Sequence, residues 1–557
     1  MSERILIGVA WPYANGPLHL GHIAGCYLPA DIFARYHRTK GNQVLMVSGS
    51  DQHGTPITVT AERQGRTPED VVAEYHQSFL DSWAGLGISF DLFTRTGTEN
   101  HARVVHEIFL RLLDQGDIFK DSMPLLFCPR DQRFLPDRYV EGTCPFCGFT
   151  RARGDQCDNC GRPLNALELV EPRCVFCGTA PEIRESEHFF LRLSAFNERL
   201  KQWVRGQTHW RPNVYNFTLR YLEEGLRDRA ITRDIEWGVP IPLPGYERKR
   251  IYVWFEAVIG YLSASKEWAE RRGQPDAWEP FWKDPATRSY YFIGKDNIVF
   301  HTVVWPAELM GYGGLNLPYD VPANEFLTLE GQQLSTSRNW AVWVPDYLAK
   351  YDPDPLRYLM SINMPETADT DFSWRELVRR NNEELVSWYG NLVHRVLTFT
   401  YRNFEGRVPT PGPLDPADHA LEERAKETLG RVGDALERTS FREAIRAAME
   451  LARDANRYLD EKAPWKTLRE DRERTATTLY MALAIINCLK KVLYPFLPFS
   501  SERLQGFLGL EGSVQAEGWT WTALESGQPL QQPQPLFTKL DESIIEEETA
   551  RLGHPPI

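Results

Sequence analysis

Two groups of residues in this chain have types and spacing suited to chemistry. The first is Pro17-Leu18-His19-Leu20-Gly21-His22, which sets two histidines three residues apart at the start of a helical pattern. At a helix N-terminus the first backbone N–H groups lack partners and the helix dipole favours an anion, so a phosphate is at home there. Two imidazole N–H donors on one side, with Gly21 admitting a ligand close to the backbone, suit phosphate oxygens as charge moves onto a leaving pyrophosphate. The plainer alternative is a pair of capping or packing histidines. The second group is cysteine: seven of nine fall between Cys128 and Cys177, including the Cys-x-x-Cys-Gly pairs Cys144/Cys147, Cys157/Cys160 and Cys174/Cys177. Two such knuckles make one tetrahedral S4 site, the geometry zinc accepts without strain. Cys144, Cys147, Cys157 and Cys160 are nearest in sequence and form the first expected site. Cys128, Asp131, Cys174 and Cys177 offer a second, since an Asp oxygen also ligates zinc. One or two ions are therefore expected.

These residues need elements to position them. Ile5 to Ala10 is a short apolar run of buried-strand type, followed by a turn rich in Pro, Asn and Gly. HLGHIAGCYLPADIFARYHRTKG then repeats apolar residues at helical spacing, and Gln43 to Ser48 is strand-like again. Strand, turn, helix, strand is a βαβ unit, and hence a doubly wound parallel nucleotide-binding sheet of Rossmann type in the α/β class. The pattern resumes after the cysteines in IYVWFEAVIGYL and SYYFIGKDNIVFHTVVWPAELMG, so the cysteine stretch reads as an insertion. The expected division is 1–115 and 213–330 for the two catalytic halves, 116–212 for the insertion, 331–380 for a loop and stem-contact region, and 381–557 for an α-helical bundle with an acidic tail. The bundle rests on long amphipathic segments such as WRELVRRNNEELVSWYGNLVHRVLTFTYRNF. The final DESIIEEETARLGHPPI is poorly patterned and reads as a solvated end.

Composition bounds the partners loosely. The 557 residues carry a formal net charge of -13, which taken whole argues against a nucleic-acid partner. Yet RDRAITRDIEWG, GYERKR and WRELVRR concentrate arginine locally. No window reaches the roughly 18 uninterrupted apolar residues of a membrane span, and the N-terminus lacks the pattern of a secretory signal. A cytoplasmic protein, with no membrane partner and monomeric for want of an appended dimerising domain, is expected.

PLHLGH resembles the HIGH signature of class I aminoacyl-tRNA synthetases, and AWPYANGPLHLGH is similar to that of the methionyl-tRNA synthetase family. The resemblance continues in order through VSGSDQHGTPI, FLPDRYVEGTCPFCG, SEHFF, WGVPIP, VWFEAVIGY, YFIGKDNIVFHTVVWP, EGQQLSTSRNW, WYGNLVHR and LDEKAPWK. It implies formation of methionyl-adenylate from L-methionine and ATP with Mg2+, then transfer to the 3'-terminal ribose of methionine tRNA. By resemblance, His19 and His22 are catalytic, and His19, Gly21, His22, Gly294, Asp296 and Thr336 bind ATP. Asp51 holds the methionine ammonium, while Trp11, Tyr13, Trp254, Tyr261, His301 and Trp305 line the side-chain pocket. Aromatic walls suit a thioether. Asn391, Arg395 and Trp465, the last placed in a loop, are implied readers of the CAU anticodon, by stacking and amide hydrogen bonds.

The chain departs from the family at its second signature. The lysine-bearing KMSKS loop corresponds here to Gln333-Leu334-Ser335-Thr336-Ser337. Ser335 and Ser337 keep their catalytic positions, but neither lysine is present, and Arg338 is the candidate replacement. A cation missing beside pyrophosphate costs roughly 2–4 kcal/mol of transition-state stabilisation if nothing replaces it. Glu256 stands where relatives commonly have Asp, and Trp11, where many have Leu, is expected to narrow the pocket. Two other readings follow: a paralogue that adenylates an amino acid without efficient tRNA charging, and a non-catalytic zinc-ribbon RNA-binding protein.

Overall fold

The computed structural model describes residues 2–554 except Gln156, Asp158, Gly161, Pro163 and Ser337. Five parallel strands form the central sheet: β1 (Arg4–Val9), β2 (Gln43–Ser50), β3 (Leu92–Arg95), β4 (Arg288–Gly294) and β5 (Ala323–Asn324). Their order is β5-β4-β1-β2-β3. In β1 the side chains alternate between two cores: Ile5, Ile7 and Val9 enter one, and Leu6 enters the other. A strand buried on both faces is why RILIGV is nearly all apolar. The chain builds outward from β1 through β2 to β3, then returns to the other side of β1 with β4. That reversal opens a crevice at the carboxyl ends of β1 and β4, where a doubly wound sheet binds its ligand.

The insertion is an antiparallel ribbon, Ile118–Cys128 against Glu182–Leu191, in register from Ile118↔Leu191 to Phe127↔Glu182. Arg229–Ala230 adds a further strand to it, beyond the boundary at 212 that the sequence suggests. The chain between the ribbon's strands forms a small three-stranded sheet around the cysteines, with a core of its own.

After the sheet, Trp374–Arg380 leads through a π-helical segment, Asn381–Gly390, into Asn391–Asn403. The antiparallel helices Pro416–Glu437, Phe441–Lys462 and Arg472–Leu493 complete the bundle. Arg472–Leu493 is long and apolar enough on composition to cross a membrane, but almost all of it is buried in this bundle. A buried ion pair joins the helix after β1, Leu28–Thr39, to the helix Pro353–Ile362. Arg357 and Asp31 are both fully buried and meet at 2.7 Å, while Arg357 also donates to the carbonyls of Leu86, Pro495 and Phe496.

The C-terminal segment is not the solvated end expected from its charge. Ser543–Thr549 is a helix, and Glu548 is buried, accepting from Lys350 Nζ and Tyr351 Oη at 2.9 Å each. Leu552 is buried as well, and Gly553 N donates to Asn339 O at 3.0 Å. Ile544, Ile545 and Leu552 form an apolar stripe that five nearby acidic residues hid in the sequence. Ending the chain at Leu540 should lower stability by about 2 kcal/mol, or roughly 4–8 °C in the transition of a unit of 150–250 residues. Differential scanning calorimetry checks this, and an unshifted transition would contradict the packing role.

Candidate active site

The HLGH turn follows β1 and enters the crevice. His19 Nδ1 accepts from Gly21 N and His22 Nδ1 accepts from His19 N, each at 3.1 Å. With both Nδ1 atoms acting as acceptors, the protons sit on Nε2, and both rings present N–H donors. Burial holds the His22 pKa down at about 4. Burial, and then the neighbouring His22, push His19 well below its ordinary value. Both are therefore neutral donors at pH 7. The turn is pinned from below by Leu20 N to Val342 O at 3.2 Å and Val344 N to Leu18 O at 2.8 Å. Gly21 lets the turn pack closely, since a Cβ there would lie 2.7 Å from the end of the Leu334 side chain.

That loop begins as Gln332–Gln333 paired with Leu327–Leu329. Ser335 and Trp340 close it with reciprocal backbone hydrogen bonds of 3.0 and 2.9 Å. Gln333, Thr336 and Arg338 are exposed, and Ser337 lies outside the described residues.

Asp51 follows β2 and is 4% exposed. Its backbone is clamped to the β1 turn by Asp51 N to Pro12 O at 2.8 Å and Ala14 N to Asp51 O at 2.9 Å. Its carboxylate accepts from His53 N at 3.1 Å. Burial, and then the charge of Glu256, push its pKa well above the usual carboxylate range. Glu256 is fully buried and accepts from His53 Nδ1 at 2.8 Å and from His101 Nε2. Burial opposes its charge, but the two histidines outweigh burial and hold its pKa at about 2. The longer side chain at position 256 thus spans two rings from distant parts of the sequence.

The pocket beside Asp51 is aromatic. Trp254 stacks on Phe300 at 4.0 Å between ring centres, and Tyr13 meets Trp254 edge-on at 6.3 Å. His301 Nδ1 donates to Asn297 O at 2.9 Å, so its Nε2 accepts from Tyr261 Oη at 2.7 Å. Burial holds the His301 pKa at about 4, which keeps this wall uncharged. Trp11 fits because glycines flank it: a Cβ on Gly49 would come within 2.3 Å of its ring, and one on Gly260 within 2.7 Å. Trp305 is fully buried and packs edge-on against Trp282 at 6.0 Å. On the other side of the crevice Gly294 ends β4, and a Cβ there would meet nothing within 4 Å. Asp296 follows on a single turn, its pKa raised by burial against the pull of Lys295. Lys295 is held by Glu325 and Asp369 at 2.9 Å each. Asp296, Trp254 and Phe300 open into one cleft of about 1470 Å3 between the sheet and the insertion.

Asn391 and Arg395 share a face of Asn391–Asn403. Arg395 lies 5.1 Å from the Trp465 ring, which is 41% exposed. Trp465 sits in a one-turn helix, Pro464–Thr467, and not in a loop. Ala463, at φ +42°, ends the preceding helix, and Pro464 restarts one.

The cysteines converge in two groups: Cys144, Cys147, Cys157 and Cys160, and Cys128, Asp131, Cys174 and Cys177. Sulfur separations are 4.0 Å for Cys144–Cys160 and 3.6 Å for Cys147–Cys157. Cys128–Cys177 is 3.5 Å, and Cys174 Sγ lies 3.1 Å from Asp131 Oδ2. Tetrahedral zinc with bonds of about 2.3 Å needs sulfurs about 3.8 Å apart, so the first group fits a tetrahedral ion, and the second fits one with an oxygen corner. Gly148 (φ +74°) and Gly178 (φ +72°) adopt the same left-handed turn in their knuckles.

A parallel sheet of this order, with a histidine-bearing turn after its first strand and an inserted knuckle module, defines a class I aminoacyl-tRNA synthetase. Residues 5–397 match the family described as tRNA synthetases class I (M), and residues 408–555 match the anticodon binding domain of methionyl tRNA ligase. The chain is 62% identical over 553 residues to a methionine--tRNA ligase of Dehalococcoides mccartyi, covering 99% of this chain and all of the relative. It is 58% identical over 580 residues to one of Thermomicrobium roseum, with 99% of each covered. A Mycobacterium tuberculosis methionyl-tRNA synthetase bound by methionyl-adenylate superposes with a TM-score of 0.80 at 26% identity, covering 97% of this chain and all of that one. The chain belongs to the methionyl-tRNA synthetase family.

The sequence alone did not point to His53, His101 and Phe300, nor to the pairing of Gly49 and Gly260 around Trp11. Their partners lie up to 249 positions away, as Trp11 and Gly260 do, and only folding brings them together.

Proposed function

We propose that this protein activates L-methionine with ATP and transfers it to the 3'-terminal ribose of methionine tRNA. The observation that carries this reading is the pair of neutral Nε2–H donors on the turn after β1, beside the buried Asp51 at the end of the neighbouring β2. Asp51 takes the methionine ammonium, and the Trp11, Tyr13, Trp254, Tyr261 and His301 wall takes the thioether. A methionine carboxylate oxygen attacks the α-phosphorus of ATP, the bond to the bridging oxygen breaks, and pyrophosphate leaves. His19 and His22 donate to phosphate oxygens as that charge develops, and Asp296 accepts ribose hydroxyls beside the open backbone of Gly294. Mg2+ bound with the nucleotide would neutralise phosphate charge. The tRNA hydroxyl then attacks the methionyl carbonyl and AMP departs. Asn391, Arg395 and Trp465 form the anticodon reader, and the protein works as a cytoplasmic monomer. Methionine-dependent ATP–pyrophosphate exchange and charging of a CAU-anticodon tRNA test this together. Exchange without charging would favour an adenylating paralogue, and neither activity would overturn the reading.

In the Gln333–Ser337 loop, Ser335 and Thr336 line the phosphate path and Ser337 keeps its family role. Arg338 replaces only part of the cation that Gln333 lacks. Gln333→Lys should then raise the exchange rate by about tenfold, a share of the roughly 2–4 kcal/mol such a cation contributes. An unchanged rate in single-turnover adenylation would show that Arg338 already fills the role.

Both cysteine groups would hold structural zinc, which ties the knuckles into the insertion. Metal analysis of purified protein should give two zinc ions per chain, and Cys144→Ser should reduce this to one. A single ion in the wild type would confine zinc to the four-cysteine group.

A further inference from the structure

The helix Pro212–Glu223 presents two aromatic rings to the large cleft that no step of adenylation uses. Phe217 and Tyr221, four positions apart, stack with ring centres 6.3 Å apart and planes 11° from parallel, and both line the cleft. Arg220 and Arg229 stand on the same wall and are exposed, and Arg229 donates to Tyr221 Oη at 2.7 Å, which fixes that ring. The helix is referenced rigidly to the catalytic centre. Thr218 Oγ1 donates to Thr302 Oγ1 at 3.0 Å, one residue from His301. At its start, Arg211 donates to Asn324 Oδ1 in β5 at 2.7 Å, and Asn213 to Glu325 Oε1 at 2.8 Å.

Parallel aromatic faces flanked by guanidinium groups are how proteins hold unpaired nucleotides, with bases stacked on rings and phosphates on cations. The same cleft reaches Asp296 and Trp254, where the adenylate forms. We propose that Phe217 and Tyr221, with Arg220 and Arg229, are a stacking platform for the single-stranded 3' end of the acceptor RNA. They position its terminal hydroxyl for the transfer step. This rests on the synthetase reading above. The aromatic pair fits bases, and the arginines fit a polyanion and not an acidic-poor or apolar peptide.

The test compares wild type, Phe217→Ala/Tyr221→Ala, and the aromatic-preserving Phe217→Tyr. Pyrophosphate exchange should stay within about twofold of wild type in all three. For charging, kcat/KM for tRNA should fall at least about thirtyfold in the double-alanine variant, the loss expected from two base stacks. Phe217→Tyr should restore most of it. In filter binding, wild type should bind a tRNA trimmed of its unpaired 3' nucleotides more weakly than the intact one, and the double variant should bind both alike. Wild-type charging by the double variant, or an unchanged preference for the intact end, overturns the platform. Absence of charging by the wild type would overturn the synthetase reading instead.

Discussion

Asp51→Asn should lower kcat/KM for methionine in pyrophosphate exchange by roughly two to three orders of magnitude. The carboxylate is nearly sealed from water and has one backbone donor of its own, so a bound ammonium is the partner its charge lacks. Truncating one side of a buried charge pair costs about 2–5 kcal/mol, and each 1.4 kcal/mol is tenfold. The same burial makes the interaction pH-dependent. A pKa raised by burial and by Glu256 means that a proton competes with the methionine ammonium for Asp51 more strongly than for an ordinary carboxylate. Affinity for methionine should therefore rise with pH through the raised pKa and flatten above it. In Asp51→Asn this limb should vanish. In Glu256→Gln, which removes the neighbouring charge, it should move to lower pH. A methionine KM that is flat with pH in the wild type would show that Asp51 is ionised throughout.

Arg357→Met should be the most destabilising single change, at about 3–5 kcal/mol. It removes the partner of the fully buried Asp31 and leaves three carbonyls without their donor. In the wild type, burial opposes the Asp31 charge, but Arg35 and Arg357 with the Ser89 donors outweigh it and hold the pKa at about 2. A depressed folded-state pKa stabilises above the unfolded value of about 4 and is lost as pH falls towards 2. The variant should lack this contribution, so its melting temperature should fall below that of the wild type at pH 7 and the gap should narrow as pH drops towards 2. Thermal melts between pH 3 and 7 read both effects. Equal melting temperatures at pH 7 would mean that Arg35 alone satisfies Asp31.

Much of this was legible in the chain. The apolar run from Ile5 to Ala10, the Pro-Asn-Gly turn and the helical spacing after His22 define the βαβ start without a structure. The repeated Cys-x-x-Cys-Gly spacing brings four sulfurs together because the ligands lie within one local unit. What sequence could not give is contact between distant segments. Glu256 looked like a one-methylene departure until His53 and His101 were found on either side. Trp11 looked like an intrusion until Gly49 and Gly260 were seen to make room. The acidic tail misled because Glu548, four positions after Ile544, turns inward to Lys350 and Tyr351 while Glu546 and Glu547 stay exposed.

Three π-helical segments, Ile23–Tyr27, Phe300–Val304 and Asn381–Gly390, adjoin the phosphate turn, contain His301 and precede Asn391. A π turn holds one residue more than an α turn, so everything beyond it is rotated by about 100° from the course of an unbroken helix. Each segment works as a phase shift, letting one continuous rod aim its functional end at a ligand and its remaining length at the core. A one-residue deletion anywhere in Asn381–Gly390 would thus leave the helix intact and swing Asn391 and Arg395 away from Trp465. The sites of this chain are then conditioned on its length at these points as much as on residue type.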